Sequence, residues 1–417
     1  MTRMSWMAAA LLLAAGMADA APQDEGMGGM TMSSMAGMKH GTGGACDNAE
    51  LRCASTVTPT IAPDGTLWLA FDVDSQVYVA RSPDRGKSFT TPVKVTPGKV
   101  HLDTGPDARA TIAVDGKGRV FVAYAIFKDE KFNAEVFFSR SLDGGKNFSA
   151  PRPLVPESTA SQRFAALAVA PDGDLFATWL DKRGVEKAAK EGKDYPGAAV
   201  AYSWSKDGGQ SFSASRIAHD NSCECCRVAV GFDGPDRPVV VFRNVFPGMI
   251  RDHAMLRFRD ADTPGPLERV SVDDWHLNGC PHHGPSLSVA ATGTYHVAWF
   301  TQGSAHKGLF YARSTDKGAH FSQAMPLGDS DHDTSRPFVG SVPGTVVLAW
   351  KEFDGETSAI NMRVSHDDGA TWSKTFMAAK TDDASDHPML VGDGHTIYLS
   401  WMTKHGGYRF FPIKEAS

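Results

Sequence analysis

Three cysteines crowd into four positions of this sequence, Cys223, Cys225 and Cys226 in DNSCECCR, and a fourth, Cys280, precedes the pair His282 and His283 in LNGCPHHGP. Thiolate sulfur and imidazole nitrogen are the donors that copper and zinc ions take, and a sulfur-rich set favours the softer copper, Cu(I) or Cu(II), over zinc. Disulfides are the competing reading. The chain has six cysteines, and in an oxidising compartment Cys280 can bridge to one of the CECC cysteines while Cys46 pairs with Cys53. Pairing does not explain why three thiols stand within four residues, nor the adjacent histidines. Redox chemistry at the same thiols is a third alternative.

A second group of soft donors lies near the N-terminus. The stretch DEGMGGMTMSSMAGMKHGTGG carries Met27, Met30, Met32, Met35, Met38 and His40 among glycines and serines. Such a composition builds no core and predicts a flexible tail over residues 21–45. Thioethers bind Cu(I) and are of little use to hard ions. The stretch resembles the Met-rich copper-binding tracts of periplasmic copper-resistance proteins, which implies copper capture; an ordinary low-complexity linker is the plainer reading. Residues 1–20 ahead of it read as a secretory signal, with Arg3, an apolar run over 7–16, and Ala18-Asp19-Ala20 at the cleavage positions. The apolar run falls short of the ~20 residues of a membrane span. The expected location is the periplasm or the outside of the cell, after cleavage near Ala20. A formal net charge of −6 gives no reason to expect nucleic acid or an anionic membrane as partner.

Two repeats say which elements position the cysteines. An octapeptide S-x-D-x-G-x-x-[FW] recurs as SPDRGKSF (82–89), SLDGGKNF (141–148), SKDGGQSF (205–212), STDKGAHF (314–321) and SHDDGATW (365–372). Each follows an alternating apolar run, the pattern of a hairpin. A second unit, strand–turn–strand ending in an aromatic, recurs seven times. Its turns fall at Gly65, Gly116, Gly173, Gly234, Gly293, Gly344 and Gly394, spaced 50 to 61 residues apart. Seven four-stranded units in series over 46–417 predict an all-β propeller with seven blades, six being the alternative if one hairpin is an insertion. The fourth unit carries a degenerate turn around Asp260. The last runs out of chain before its outer strand, so an N-terminal strand around 50–56 is expected to close the ring.

The octapeptide resembles the Asp-box, or BNR repeat, of the sialidase superfamily of β-propellers. The resemblance implies the fold and says less about activity. With strands A to D running outward from the hub, the segments just before each A strand open on one face beside the central channel. They carry Cys53; His101, Asp103 and Asp107; Arg163; CECC; CPHH; His332; and His387. The fourth and fifth are neighbours, so CECC and CPHH are expected to meet at the hub. His101, His332 and His387 read as polar rim residues.

Sialidases use an arginine triad and a Tyr–Glu pair, which implies a sialidase-like glycoside hydrolase as an alternative function. Here the usual start of the first blade is replaced by VTPTIA, and Tyr408 stands without an identified glutamate. Arg243, Arg251, Asp252 and His253 in FRNVFPGMIRDHAML fall on the same face as CECC. They resemble a stretch of exported sialidase-like proteins that also carry Cys-x-Cys-Cys and Gly-Cys-Pro motifs; a buried Arg–Asp pair is the structural alternative. The reading reached is a periplasmic copper-binding propeller for copper tolerance or delivery, with a second periplasmic copper protein as possible recipient. A copper-dependent oxidoreductase and a disulfide-braced interaction scaffold remain open.

Overall fold

In the computed structural model the described residues are 50–415, apart from 157, 194 and 196. They form a seven-bladed β-propeller, each blade an antiparallel sheet whose strands follow in chain order. The fourth blade consists of Ala229–Phe232, Pro238–Arg243, His253–Asp260 and Thr263–Arg269. The fifth consists of Ser286–Val289, Tyr295–Gln302, Lys307–Ser314 and Met325–Leu327. In the second blade two short segments, Leu102–Asp103 and Thr111–Val114, share the innermost place against Val120–Phe127. Seven blades, not six, is the outcome. The signal segment, the tail with Met27, Met30, Met32, Met35, Met38 and His40, and Cys46 lie outside the described residues.

Second strands such as Leu67–Val73, Leu175–Asp181 and Ile397–Thr403 are buried at every residue. A strand covered on both faces by neighbouring blades needs a continuous rather than alternating apolar run. Four of them present a tryptophan at one equivalent position, Trp179, Trp299, Trp350 and Trp401, each fully buried. Each indole N–H is satisfied by an oxygen, of Asp181, Asp273, Glu352 or the Asp386 carbonyl.

All five octapeptides fold alike. The serine hydroxyl donates to the aspartate two residues on, at 2.7 to 2.8 Å, and accepts the glycine N–H two residues further. The aspartate also accepts the backbone N–H four residues after it, at 2.8 to 3.0 Å. The closing aromatics, Phe89, Phe148, Phe212, Phe321 and Trp372, pack on successive core clusters. The glycine is required twice over. Gly145 sits at φ +79°, and a Cβ there would come within 2.5 Å of Trp68 on the preceding blade.

The ring closes differently from the expected strand. Among the described residues the last blade has three strands, Met389–Gly392, Ile397–Thr403 and Gly407–Pro412, and Leu51–Cys53 is a single 3-10 turn. Leu51 and Cys53 pack in one cluster with Tyr408 and Phe410, so apolar contact replaces strand pairing there. Cys53 is disulfide-bonded. Gly86 of the first blade makes room for Phe410 of the last, a Cβ on it reaching 3.0 Å from that side chain. Among the described residues no helix is long and apolar enough to cross a membrane.

Two outcomes test this architecture. Ser141 is buried, so Ser141→Ala strands the Gly145 N–H and is expected to cost about 1–3 kcal/mol in chemical denaturation. Hydrogen bonds led by the Ser88 hydroxyl hold Asp84 at about 2, and the His320 N–H holds Asp316 at about 2. Because both are depressed on folding, their stabilisation is complete above the unfolded value of about 4 and fades as pH falls toward 2. Denaturant titrations followed by circular dichroism are therefore expected to show a midpoint that falls as pH drops from about 4 toward 2, and a midpoint unchanged across that window contradicts it.

Candidate metal centre

The segment ahead of the fourth blade and the one ahead of the fifth meet at the hub. Cys223, Cys225 and Cys226 are buried, and the Cys223 Sγ lies 3.6 Å from the Sγ of each of the other two. Donor atoms of these three cysteines lie within 4.8 Å of one another, as do those of Cys225, Cys280 and His282. Cys223, Cys225, Cys226 and Cys280 are free thiols. His283 stays out of the group. Its ring stacks on Phe300 at a centroid distance of 4.2 Å.

Two arginines hold these loops. Arg243, fully buried, donates to the carbonyls of Arg251, His283 and Phe300 at 2.8 to 2.9 Å. It thereby ties the connection between the second and third strands of blade four to blade five. Arg251 donates Nε to the Leu277 carbonyl at 2.8 Å and Nη1 to the Cys223 sulfur at 3.1 Å. The expected Arg–Asp pair is not between these neighbours, since Asp252 instead binds Arg269 and the backbone N–H groups of Asp273, Asp274 and Trp275. An extended chain places successive side chains on opposite faces, which sends Arg251 and Asp252 to different partners.

Thiol donors from Cys225 and Cys226, together with the charges of Arg251 and Arg243, hold the Cys223 thiol well below the usual range. Burial pushes the Cys225 and Cys226 thiols up. A hydrogen bond from Cys225 draws Cys280 down. Burial lowers His282, leaving a neutral imidazole whose buried Nε2 has no hydrogen-bond partner. An orphaned ring nitrogen beside unpaired sulfurs is a donor set that a soft metal ion would complete.

Behind the thiols stands a carboxylate–guanidinium ring that the sequence reading passed over. Asp107 of blade two accepts from Arg227 at 2.5 Å, from Arg336 at 3.1 Å and from the Gly284 N–H at 3.0 Å. It thereby joins blades two, four, five and six. Arg109 binds Asp386 of blade seven with both nitrogens, at 2.7 and 3.0 Å, and touches His387. Arg163 grips Asp103 in the same bidentate way. Breaks in register at Arg163/Ala166 and Ser335/Phe338 mark bulges that re-aim Arg163 and Arg336. The available signal was an arginine shortly before or at the start of the first strand in four repeats. His387 is a correction to the rim assignment: it is buried in this ring, and burial keeps its imidazole neutral. His101 is exposed beside Phe127, and His332 is exposed near Glu352. Tyr408 is elsewhere, packed on Phe89 and bonded to Ser400.

No protein-family model matches the chain, and no curated protein matches its sequence. The fold does match solved structures. A polysaccharide lyase of family PL25, an ulvan lyase, superposes with a TM-score of 0.55 at 12% identity over 89% of this chain and 96% of its own. A Hadza microbial sialidase gives 0.51 at 15% identity, over 90% of this chain and 68% of its own. The polysaccharide lyase Uly1 gives 0.50 at 9% identity, over 84% and 88%. These likenesses establish the propeller.

Breaking the ring at Asp107 tests its structural weight. Asp107→Ala leaves Arg227 and Arg336 without their shared carboxylate, and about 3–5 kcal/mol of stability is expected to go. Denaturant titration showing less than about 1 kcal/mol would mean that water compensates the two cations.

Proposed function

We propose that the protein is an exported copper-binding protein for copper tolerance or delivery, with Cu(I) held at the hub by Cys223, Cys225, Cys226, Cys280 and His282. The observation that carries this reading is the convergence of four unpaired sulfurs and one unpartnered imidazole from two loops more than fifty residues apart. Soft donors in a largely buried site suit a soft ion. The Met-rich tail supports the reading from an independent part of the sequence. Met27, Met30, Met32, Met35, Met38 and His40 capture copper outside the domain, and the tether raises its effective concentration at the hub. Export is part of the proposal, as is transfer to a second periplasmic copper protein.

Anaerobic Cu(I) titration against a competing chelator tests it, using untagged full-length chain. The wild type is expected to retain copper that the variant Cys225→Ser/Cys280→Ser loses, leaving only the weaker tail fraction. Equal retention by both proteins, or a Cys225–Cys280 disulfide found by thiol mapping of the protein as isolated from the periplasm, overturns the hub assignment.

The fold shared with a sialidase and with polysaccharide lyases favours one second reading, action on an acidic saccharide at the hub arginines. Against it, Arg109, Arg163, Arg227 and Arg336 already hold Asp386, Asp103 and Asp107. A substrate carboxylate would have to displace these. Release of fluorophore from a sialoside, or formation of unsaturated uronate from ulvan, would establish that reading instead.

A further inference from the structure

The donors at the hub do not form one set. They form two sets of three that share a single atom. Cys223, Cys225 and Cys226 make the first, Cys225, Cys280 and His282 the second, and Cys225 belongs to both. Among the described residues no four of these donors lie within 4.8 Å of one another. A single tetrahedral ion bound by thiolates at about 2.3 Å needs four donors mutually about 3.8 Å apart. Two three-coordinate sites joined at one sulfur fit the arrangement better, and three-coordination is a geometry that monovalent copper accepts.

Charge points the same way. Four thiolates carry four negative charges, and a single Cu(I) would leave three of them in a buried site. Two Cu(I) ions leave two, which is what the buried guanidiniums of Arg251, on the Cys223 sulfur, and Arg243 supply. Buried charge persists where it is compensated nearby.

The nitrogen donor of the second set is itself held in place. His282 has a left-handed backbone, φ +50°, a conformation that a non-glycine residue keeps only where its surroundings hold it. Arg336 donates to its carbonyl, and Asp107 accepts from the Gly284 N–H two residues on. Strain maintained from two other blades aims this imidazole at Cys225 and Cys280.

We propose that the hub holds two Cu(I) ions bridged by the Cys225 sulfur, one completed by Cys223 and Cys226, the other by Cys280 and His282. This rests on the copper reading of the same site. It is tested by native mass spectrometry of the anaerobically Cu(I)-loaded full-length chain in which Met27, Met30, Met32, Met35 and Met38 are changed to Leu and His40 to Ala, after washing with a Cu(I) chelator. Two copper ions per chain are expected. Cys226→Ser and His282→Ala are each expected to keep one, and Cys225→Ser none. Since a serine variant can fail to fold, X-ray absorption on the protein with the hub intact supplies a second readout, a copper–copper vector. One ion per chain without that vector overturns the bridge and leaves copper binding standing. No retained copper overturns both.

Discussion

Five of the seven blades reserve space for their predecessor. The glycine of every serine–aspartate–glycine turn lies against a side chain from the blade before it: Trp68 at Gly145, Phe138 at Gly209, Met255 at Gly318, Tyr311 at Gly369 and, across the closure, Phe410 at Gly86. A Cβ at any of these points would meet that side chain at 3.0 Å or less. The turn is thus a spacer that fixes how closely consecutive sheets stack. Once stacking is fixed, the segments before neighbouring first strands must converge at the hub, whatever their sequence. Loops bearing Cys225 and Cys280 meet because blades four and five stack, not because the loops attract each other.

What converges at the hub is mostly charge, four guanidiniums against three carboxylates. Asp103, Asp107 and Asp386 answer Arg163, Arg227, Arg336 and Arg109, with each pair crossing from one blade to another. In a low-dielectric ring such pairs carry a desolvation cost that excellent geometry offsets, and the bidentate Arg163 and Arg109 contacts have that geometry. The consequence for function is spatial. The network restrains the backbone at His282 and Gly284, so the part of the hub that faces the thiols is stiff.

Repetition made the fold legible. Five near-identical octapeptides and seven glycine turns at 50- to 61-residue intervals set the blade number and the face on which each loop emerges. The meeting of CECC with CPHH followed from that count alone. What stayed hidden was anything depending on direction within a loop. His282 and His283 are adjacent, and nothing in the sequence says that one turns to the sulfurs while the other stacks on Phe300. The arginines Arg109, Arg163, Arg227 and Arg336 recur near the first strands of four repeats, yet arginine is common on surfaces and recurrence alone does not mark it as buried. Closure by residues 50–56 failed as a strand because Leu51 and Cys53 are drawn into the apolar cluster of Tyr408 and Phe410 rather than along a sheet edge.

The proposed copper site requires thiols that stay reduced rather than oxidised in pairs. Two arginines that bind no carboxylate favour that state. Arg243 spends its bonds on three carbonyls, and Arg251 on one carbonyl and the Cys223 sulfur. Carbonyl dipoles solvate a buried cation but do not neutralise it. A disulfide at Cys223 would leave both guanidiniums facing neutral sulfur, with the several kcal/mol that an uncompensated buried charge costs. A thiolate supplies the missing counter-charge, and crowding three more thiols around it favours a cation that sulfur can share. The same arginines that lock the two loops together therefore favour a thiolate over a disulfide at Cys223, which is the charge state that the proposed metal site needs.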